Sequence, residues 1–182
     1  MASIISKKTW LIMITLIITV PALVGIAVSC SFFGSSDSTS ALNETPDFTL
    51  PTLTGADITL SELKGTPVVL NFWSICCPYC RQQLPYFEDV AQQGEGGIKV
   101  IAIDIYDSAS EIQDFFGDHK PTMTIALDSN REAFADYCRA YNNALGSIPF
   151  TLFVDSEGIV KYAQRGAFTS EAALWDILHS VF

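Results

Sequence analysis

The run "PVVLNFWSICCPYCRQQLP", residues 67–85, constrains the fold more than any other part of the chain. Its first half is an apolar run, interrupted only by Asn71 and rich in β-branched and aromatic side chains. Such a run marks a strand covered on both faces, so the sheet it joins needs a packed layer on each side. Its second half starts a helix, with Pro78 at the first turn, where a missing N–H costs nothing. A buried strand therefore runs straight into a helix, and three cysteines, Cys76, Cys77 and Cys80, sit at the junction.

That position has chemical consequences. The first N–H groups of a helix lack partners, and with the helix dipole they stabilise an anion there. A thiolate is such an anion, so Cys77 is expected to be the attacking sulfur. Cys80 lies one helical turn later, within reach of it, and is expected to resolve a mixed disulfide. C-x-x-C at a strand–helix junction in an α/β pattern points to thiol–disulfide exchange. Cys76 precedes the first helical turn and lacks those N–H groups. A disulfide between the neighbours Cys76 and Cys77 would be strained, and Cys76 is expected to be dispensable for turnover.

Along the remaining chain, strands and helices alternate. "DFTL" and "DITLSEL" read as an extended lead-in with a short strand and turn. The segment beginning "PYCRQQLP" is helical up to the "GEGG" breaker. "IKVIAIDI" is a second buried strand, "ASEIQDFFGDH" a helix, "TMTIALD" a strand and "REAFADYCRAY" a helix. "IPFTLFVD" and "IVKYAQR" are strands joined at the turn signal "DSEG". "TSEAALWDILHSVF" closes the chain as a helix, with Thr169 or Ser170 as its cap. Alternation ending in a hairpin predicts a three-layer α/β/α sandwich around a mixed central sheet.

Ahead of this domain lies a different kind of sequence. Trp10 to Val28 contains no charge over 19 residues, and Lys7 and Lys8 precede it. That length spans a bilayer as a helix, and the lysines are the positive flank of an export signal or anchor. The stretch ends "GIAVSC", which resembles the lipobox of bacterial lipoproteins, with Ala27 where that motif prefers Leu. The resemblance implies cleavage before Cys30 and lipid attachment to it. A simple transmembrane anchor and a fully released signal peptide are the alternatives. Residues 30–45, rich in Ser, Thr, Gly and Asn, read as a flexible tether. This gives residues 1–29 as signal peptide or anchor and 46–182 as one folded domain.

Lys7 and Lys8 are the only charges ahead of Cys30, so the rest carries 8 basic and 20 acidic side chains, a net −12. No basic patch is available for nucleic acid, and that class of partner is excluded.

Four features together resemble the thioredoxin superfamily: "VVLNFW" ahead of the site, "CPYC", Pro85 five residues after Cys80, and "GSIPFTLFVDSEG" downstream. The resemblance implies a cis bond before Pro149, with that proline lying against the disulfide. It implies backbone hydrogen bonds from Ile148 to the substrate chain and a kink in the active-site helix at Pro85. Trp73, ahead of the cysteines, and Tyr79, between Cys77 and Cys80, complete the expected substrate-binding set. An extra helix and strand, roughly residues 107–128, with "LSELKGTPVVLNFW" and the N-terminal membrane signal, resemble the TlpA/ResA branch. That branch implies an extracytoplasmic, membrane-tethered thiol–disulfide oxidoreductase needing no cofactor. Its partners would be oxidised exported proteins such as apocytochrome c and a DsbD- or CcdA-like electron donor in the membrane. A monomer is expected.

Some positions depart from the branch pattern. Cys76 stands where the branch usually has Trp, and "CPYC" carries the dipeptide of glutaredoxins. Gln83 replaces a glutamate often found three residues after the second cysteine. Asn71 stands where thioredoxin has a buried Asp. Neither amide can exchange a proton at ordinary pH, and no substitute base is evident in the sequence. Cys138, among aromatic side chains on a helix, is expected to be buried and inert. His119 and His179 read as surface residues.

Other readings stay open. Cys76 and Cys80 share the C-x-x-x-C spacing of Sco-type copper chaperones, and two thiolates with an imidazole would suit Cu(I). The histidine that family places near the later strand is absent from "NNALGSIP", and no metal site is assigned. The peroxiredoxin pattern P-x-x-x-T-x-x-C puts Leu70 and Ser74 at its Pro and Thr positions. A binding module with an inactive site is the remaining alternative.

Overall fold

The computed structural model describes residues 45–182. The expectations for residues 1–29, for Cys30 and for most of the tether lie outside these residues. Among the described residues no helix is long and apolar enough to cross a membrane.

Among the described residues, seven strands and four α-helices follow one another. They are β1 (Thr49–Pro51), β2 (Asp57–Thr59), β3 (Val68–Trp73), α1 (Pro78–Gln93), β4 (Lys99–Asp104), α2 (Ala109–Phe116), β5 (Thr124–Leu127), α3 (Glu132–Ala140), β6 (Phe150–Val154), β7 (Val160–Arg165) and α4 (Glu171–Val181). The lead-in is more regular than the sequence suggests. β1 and β2 pair antiparallel, Leu50 opposite Ile58, and a 3-10 turn over Leu60–Leu63 follows.

The main sheet has the order β5-β4-β3-β6-β7. β3, β4 and β5 run parallel, while β6 is antiparallel to β3 and β7 antiparallel to β6. β3 is central and all six of its residues are buried. Its side chains alternate between two cores. Val68, Leu70 and Phe72 face one core, with Phe134 and Tyr137 of α3 and with Leu50 and Ile58 of the β1–β2 hairpin. Val69 and Trp73 face the other, with Leu84, Phe87 and Val90 of α1, Ile112 of α2, and Leu174 and Leu178 of α4. The three-layer α/β sandwich with a mixed sheet is therefore present, and α2 with β5 is the extra helix–strand segment.

Local chemistry sets the helix limits. α1 stops at Gly94, whose φ of 60° suits a residue without a β-carbon and whose N–H returns to the Val90 carbonyl. α2 starts in a capping box: Ser108 Oγ accepts the Glu111 N–H, and the Glu111 carboxylate accepts the Ser108 N–H. Ser170, not Thr169, caps α4, accepting the Ala173 N–H at 3.2 Å. Pro85 lies inside α1, which continues as one helix through it. Both Pro85 and Arg81 are exposed. The Arg81 carbonyl that loses its partner therefore lies on the solvent side of the helix, where water can serve it.

Candidate active site

β3 ends at Trp73, Ser74 after it is still buried, and the chain reaches the surface at Cys76, two residues before α1 begins. Between them, Cys77 is the N-cap of α1, in extended conformation, and its sulfur accepts the Cys80 N–H at 3.1 Å. This is the stabilisation expected of an N-terminal anion, supplied by a specific backbone donor. Cys77 and Cys80 form a disulfide with α-carbons 5.2 Å apart. Cys80, in the first turn of α1, is fully buried and Cys77 is partly exposed, so of these two only Cys77 presents a sulfur to a partner.

The Ile148–Pro149 bond is cis, and Cys77 Sγ lies 3.9 Å from the Ile148 carbonyl oxygen. The loop before β6 is thus brought against the cysteines, 71 residues away in sequence. Tyr79 is 67% exposed beside the disulfide, and Leu145, on the loop leading to Pro149, is 92% exposed. Trp73 corrects the expected substrate-binding set. It is completely buried, with its ring 5.8 Å from Phe115 and 6.1 Å from Phe116. As the last residue of β3 it points into the core beneath α2 and offers a substrate no surface.

The other cysteines separate clearly. Cys76 is exposed, ahead of the helix, with Sγ 3.0 Å from Ser74 Oγ. Cys138 is half-buried beside the first core, and burial pushes its thiol up from the ordinary range. Because Cys76 touches neither disulfide sulfur by hydrogen bond, Cys76→Ser is expected to keep turnover within about twofold of wild type, as for other exposed substitutions. Disulfide-reduction kinetics measure this. A loss as deep as that of the Cys77 variant would place Cys76 in the exchange itself.

The two amides noted in the sequence are both buried. Asn71 Nδ2 donates to Thr151 Oγ1 at 2.9 Å across the β3–β6 pair. Gln83 Oε1 accepts the Phe168 N–H at 3.1 Å, tying α1 to the segment before α4. His119 and His179 lie at the surface, 3.9 Å from Glu88 and 3.7 Å from Glu95. Among the described residues no three His, Cys, Asp or Glu side chains cluster as metal ligands.

Sequence reasoning missed two carboxylates at the rim of the site. Asp107 Oδ2 accepts the Ile75 N–H at 2.7 Å, two residues before Cys77. Asp104 ends β4 beside Trp73 and is buried. Its Oδ1 accepts the N–H groups of Tyr106 at 2.9 Å and Asp107 at 2.6 Å. Burial pushes the Asp104 carboxyl up to about 7, and the neighbouring Asp107 carboxylate adds to the rise.

Comparison with known proteins agrees with this chemistry. Residues 42–163 match the AhpC/TSA family. The thiol–disulfide oxidoreductase ResA of Geobacillus kaustophilus is 28% identical over 167 residues, covering 91% of this chain and 92% of that protein. ResA of Bacillus subtilis is 25% identical over 158 residues, covering 86% and 84%. Among solved structures, a Chlorobium tepidum protein assigned as the thiol:disulfide interchange protein DsbE superposes with a TM-score of 0.65 at 26% identity. That match covers 77% of this chain and 96% of the other. A cysteine pair at the head of a helix, a cis-proline loop against it and these relatives converge: the chain belongs to the AhpC/TSA family and is a thiol–disulfide oxidoreductase of thioredoxin-like fold.

Proposed function

We propose that this oxidoreductase works outside the cytoplasmic membrane, tethered to it, and reduces disulfides in exported proteins. The observation that carries the exchange chemistry is the asymmetry of the pair, with Cys77 accessible at the helix N-terminus and Cys80 buried behind it. In the reduced protein the Cys77 thiolate attacks one sulfur of a client disulfide. The S–S bond breaks, a mixed disulfide forms, and the departing client sulfur takes a proton. Cys80 then loses its proton and attacks Cys77 Sγ. The second client thiol leaves, and the Cys77–Cys80 disulfide remains. Two electrons have passed to the client, and a dithiol donor in the membrane must return them. Cys80 cannot be attacked from outside while buried, which keeps the mixed disulfide on Cys77.

The tethered location rests on the charge-free segment Trp10–Val28 and on Cys30 after "GIAVS". Ile148 and Pro149, with Tyr79, form the proposed client-binding rim. Apocytochrome c is the proposed client class, from the resemblance to the TlpA/ResA branch, and the electron donor is proposed to be DsbD- or CcdA-like. The test is a Cys80→Ser variant of the full chain, expressed in a bacterium and isolated under alkylating conditions. The expected result is a membrane-fraction protein carrying exported, cysteine-containing clients in reducible bonds to Cys77, with Cys30→Ala losing its lipid. Capture of cytoplasmic proteins alone, or a wholly soluble full-length chain, would overturn the location.

A further inference from the structure

Two carboxylates stand where β4 leaves the sheet, on the strand next to the one that carries the cysteines. β3 and β4 are in register to their ends, Trp73 opposite Asp104, and the Ile105 N–H reaches the Trp73 carbonyl at 3.2 Å. The two strand ends are therefore one rigid edge. Asp104 folds the chain back over that edge by accepting two successive N–H groups, and this places Asp107 on the Ile75 N–H. The second oxygen of Asp104, Oδ2, is buried with no hydrogen-bond partner. Neither carboxylate has an ion-pair partner within 4 Å among the described residues.

We propose that Asp104 and Asp107 form an acidic brace on the cysteine loop that disfavours the Cys77 thiolate and thereby makes the reduced protein a stronger reductant. This rests on the oxidoreductase reading. Ile75 and Cys77 are two residues apart, at most about 7 Å between their α-carbons. The Asp107 carboxylate is thus near enough for its field to reach Cys77 with little salt screening at the half-buried rim. It opposes the stabilisation supplied by the Cys80 N–H and the α1 dipole. A thiolate made less stable leaves the disulfide relatively favoured, which is what an electron-giving dithiol requires. Asp104 contributes in two ways: it holds Asp107 in place and adds its own partial charge, since a carboxyl raised to about 7 is fractionally ionised near neutral pH. Both residues are positioning groups, acting on Cys77 through the loop and through charge.

The experiment is the thiol–disulfide equilibrium of the intact protein with glutathione at pH 7, for the reaction of protein dithiol with oxidised glutathione to give protein disulfide and two glutathione thiols. Asp107→Asn keeps an oxygen for the Ile75 N–H and removes the charge. It is expected to lower the equilibrium constant threefold to tenfold, about 15–30 mV toward a more oxidising potential. Asp104→Asn keeps acceptors for Tyr106 and Asp107 and is expected to move the constant the same way by a smaller factor. It also serves if the Asp107 variant does not fold. Asp107→Ala, which loses both charge and acceptor, separates the two contributions. A shift in Asp107→Ala but none in Asp107→Asn would reduce the brace to a hydrogen bond and overturn the proposal. Unchanged constants in both asparagine variants, or a shift in the opposite direction, would do the same. A wild-type protein that does not exchange with glutathione would instead sink the oxidoreductase reading itself.

Discussion

Replacing Cys77 with serine is expected to reduce disulfide-exchange activity by at least about three orders of magnitude, to the uncatalysed background. The sulfur does three things that an oxygen cannot do together. It ionises within reach of neutral pH, it attacks a disulfide sulfur, and it leaves again when Cys80 attacks it. The helix N-terminus cannot rescue a serine, because the dipole and the Cys80 N–H lower a pKa by a few units at most and an alcohol starts far above that range. Cys80→Ser should behave differently. Its Cys77 keeps its place at the N-cap, so the first exchange proceeds and the reaction stops at the mixed disulfide. Insulin reduction in the presence of dithiothreitol, with mass spectrometry of the trapped species, tells the two variants apart. Stable mixed disulfides on Cys80 in the Cys77 variant would reverse the assigned roles.

The second large effect concerns stability. Phe72→Ala is expected to cost about 3–5 kcal/mol. Phe72 lies in the middle of the sheet, paired with Ile103 on β4 and Phe150 on β6, and is fully buried. Its ring centroid is 5.3 Å from those of Phe134 and Tyr137 and 6.2 Å from that of Phe150. Truncation removes the transfer free energy of the ring and leaves a cavity walled by aromatic groups from β6 and α3. Central strands cannot move inward to close it without breaking ladder hydrogen bonds, so little of the cost is recovered. A loss of this size is a large share of the 5–15 kcal/mol that holds a typical domain together. Urea unfolding of the oxidised protein measures it. A cost under about 1.5 kcal/mol would mean that the α3 layer repacks freely over the sheet.

Much of the architecture is legible in local patterns because its causes are local. A short run that is apolar but for Asn71 and rich in β-branched and aromatic side chains marks a covered strand, as β3 is. Pro78 and the cysteine before it define a helix start that needs no distant partner, and the turn at Asp155–Gly158 carries its own hydrogen bonds, including the Gly158 N–H to the Asp155 carbonyl at 3.0 Å. The C-x-x-C pair forms within one helical turn, so its spacing alone specifies it. Pro149 is legible only through family resemblance, and the approach of its neighbour Ile148 to Cys77 depends on β6 lying next to β3.

The remainder depends on which segments meet in space. Trp73, next to the cysteine loop, suggests a substrate contact by proximity in sequence. Strand alternation and the arrival of Phe115 and Phe116 from α2 put it in the core instead. Gln83 reads as a missing acid, yet it holds the Phe168 N–H, 85 residues further on. Asp107 is one of many surface-type acids by composition. Only the parallel pairing of β3 with β4, which aligns Trp73 with Asp104, carries its carboxylate to the Ile75 N–H across 32 residues of chain. Sequence by itself determined the strand–helix junction and its exchanging sulfurs, since hydrophobic periodicity and helix-end chemistry act over a few residues. Tertiary structure decided which carboxylate meets the loop that carries those sulfurs and what the buried amides hold, since hydrogen bonds and electrostatic fields act through space between segments that only the folded sheet brings together.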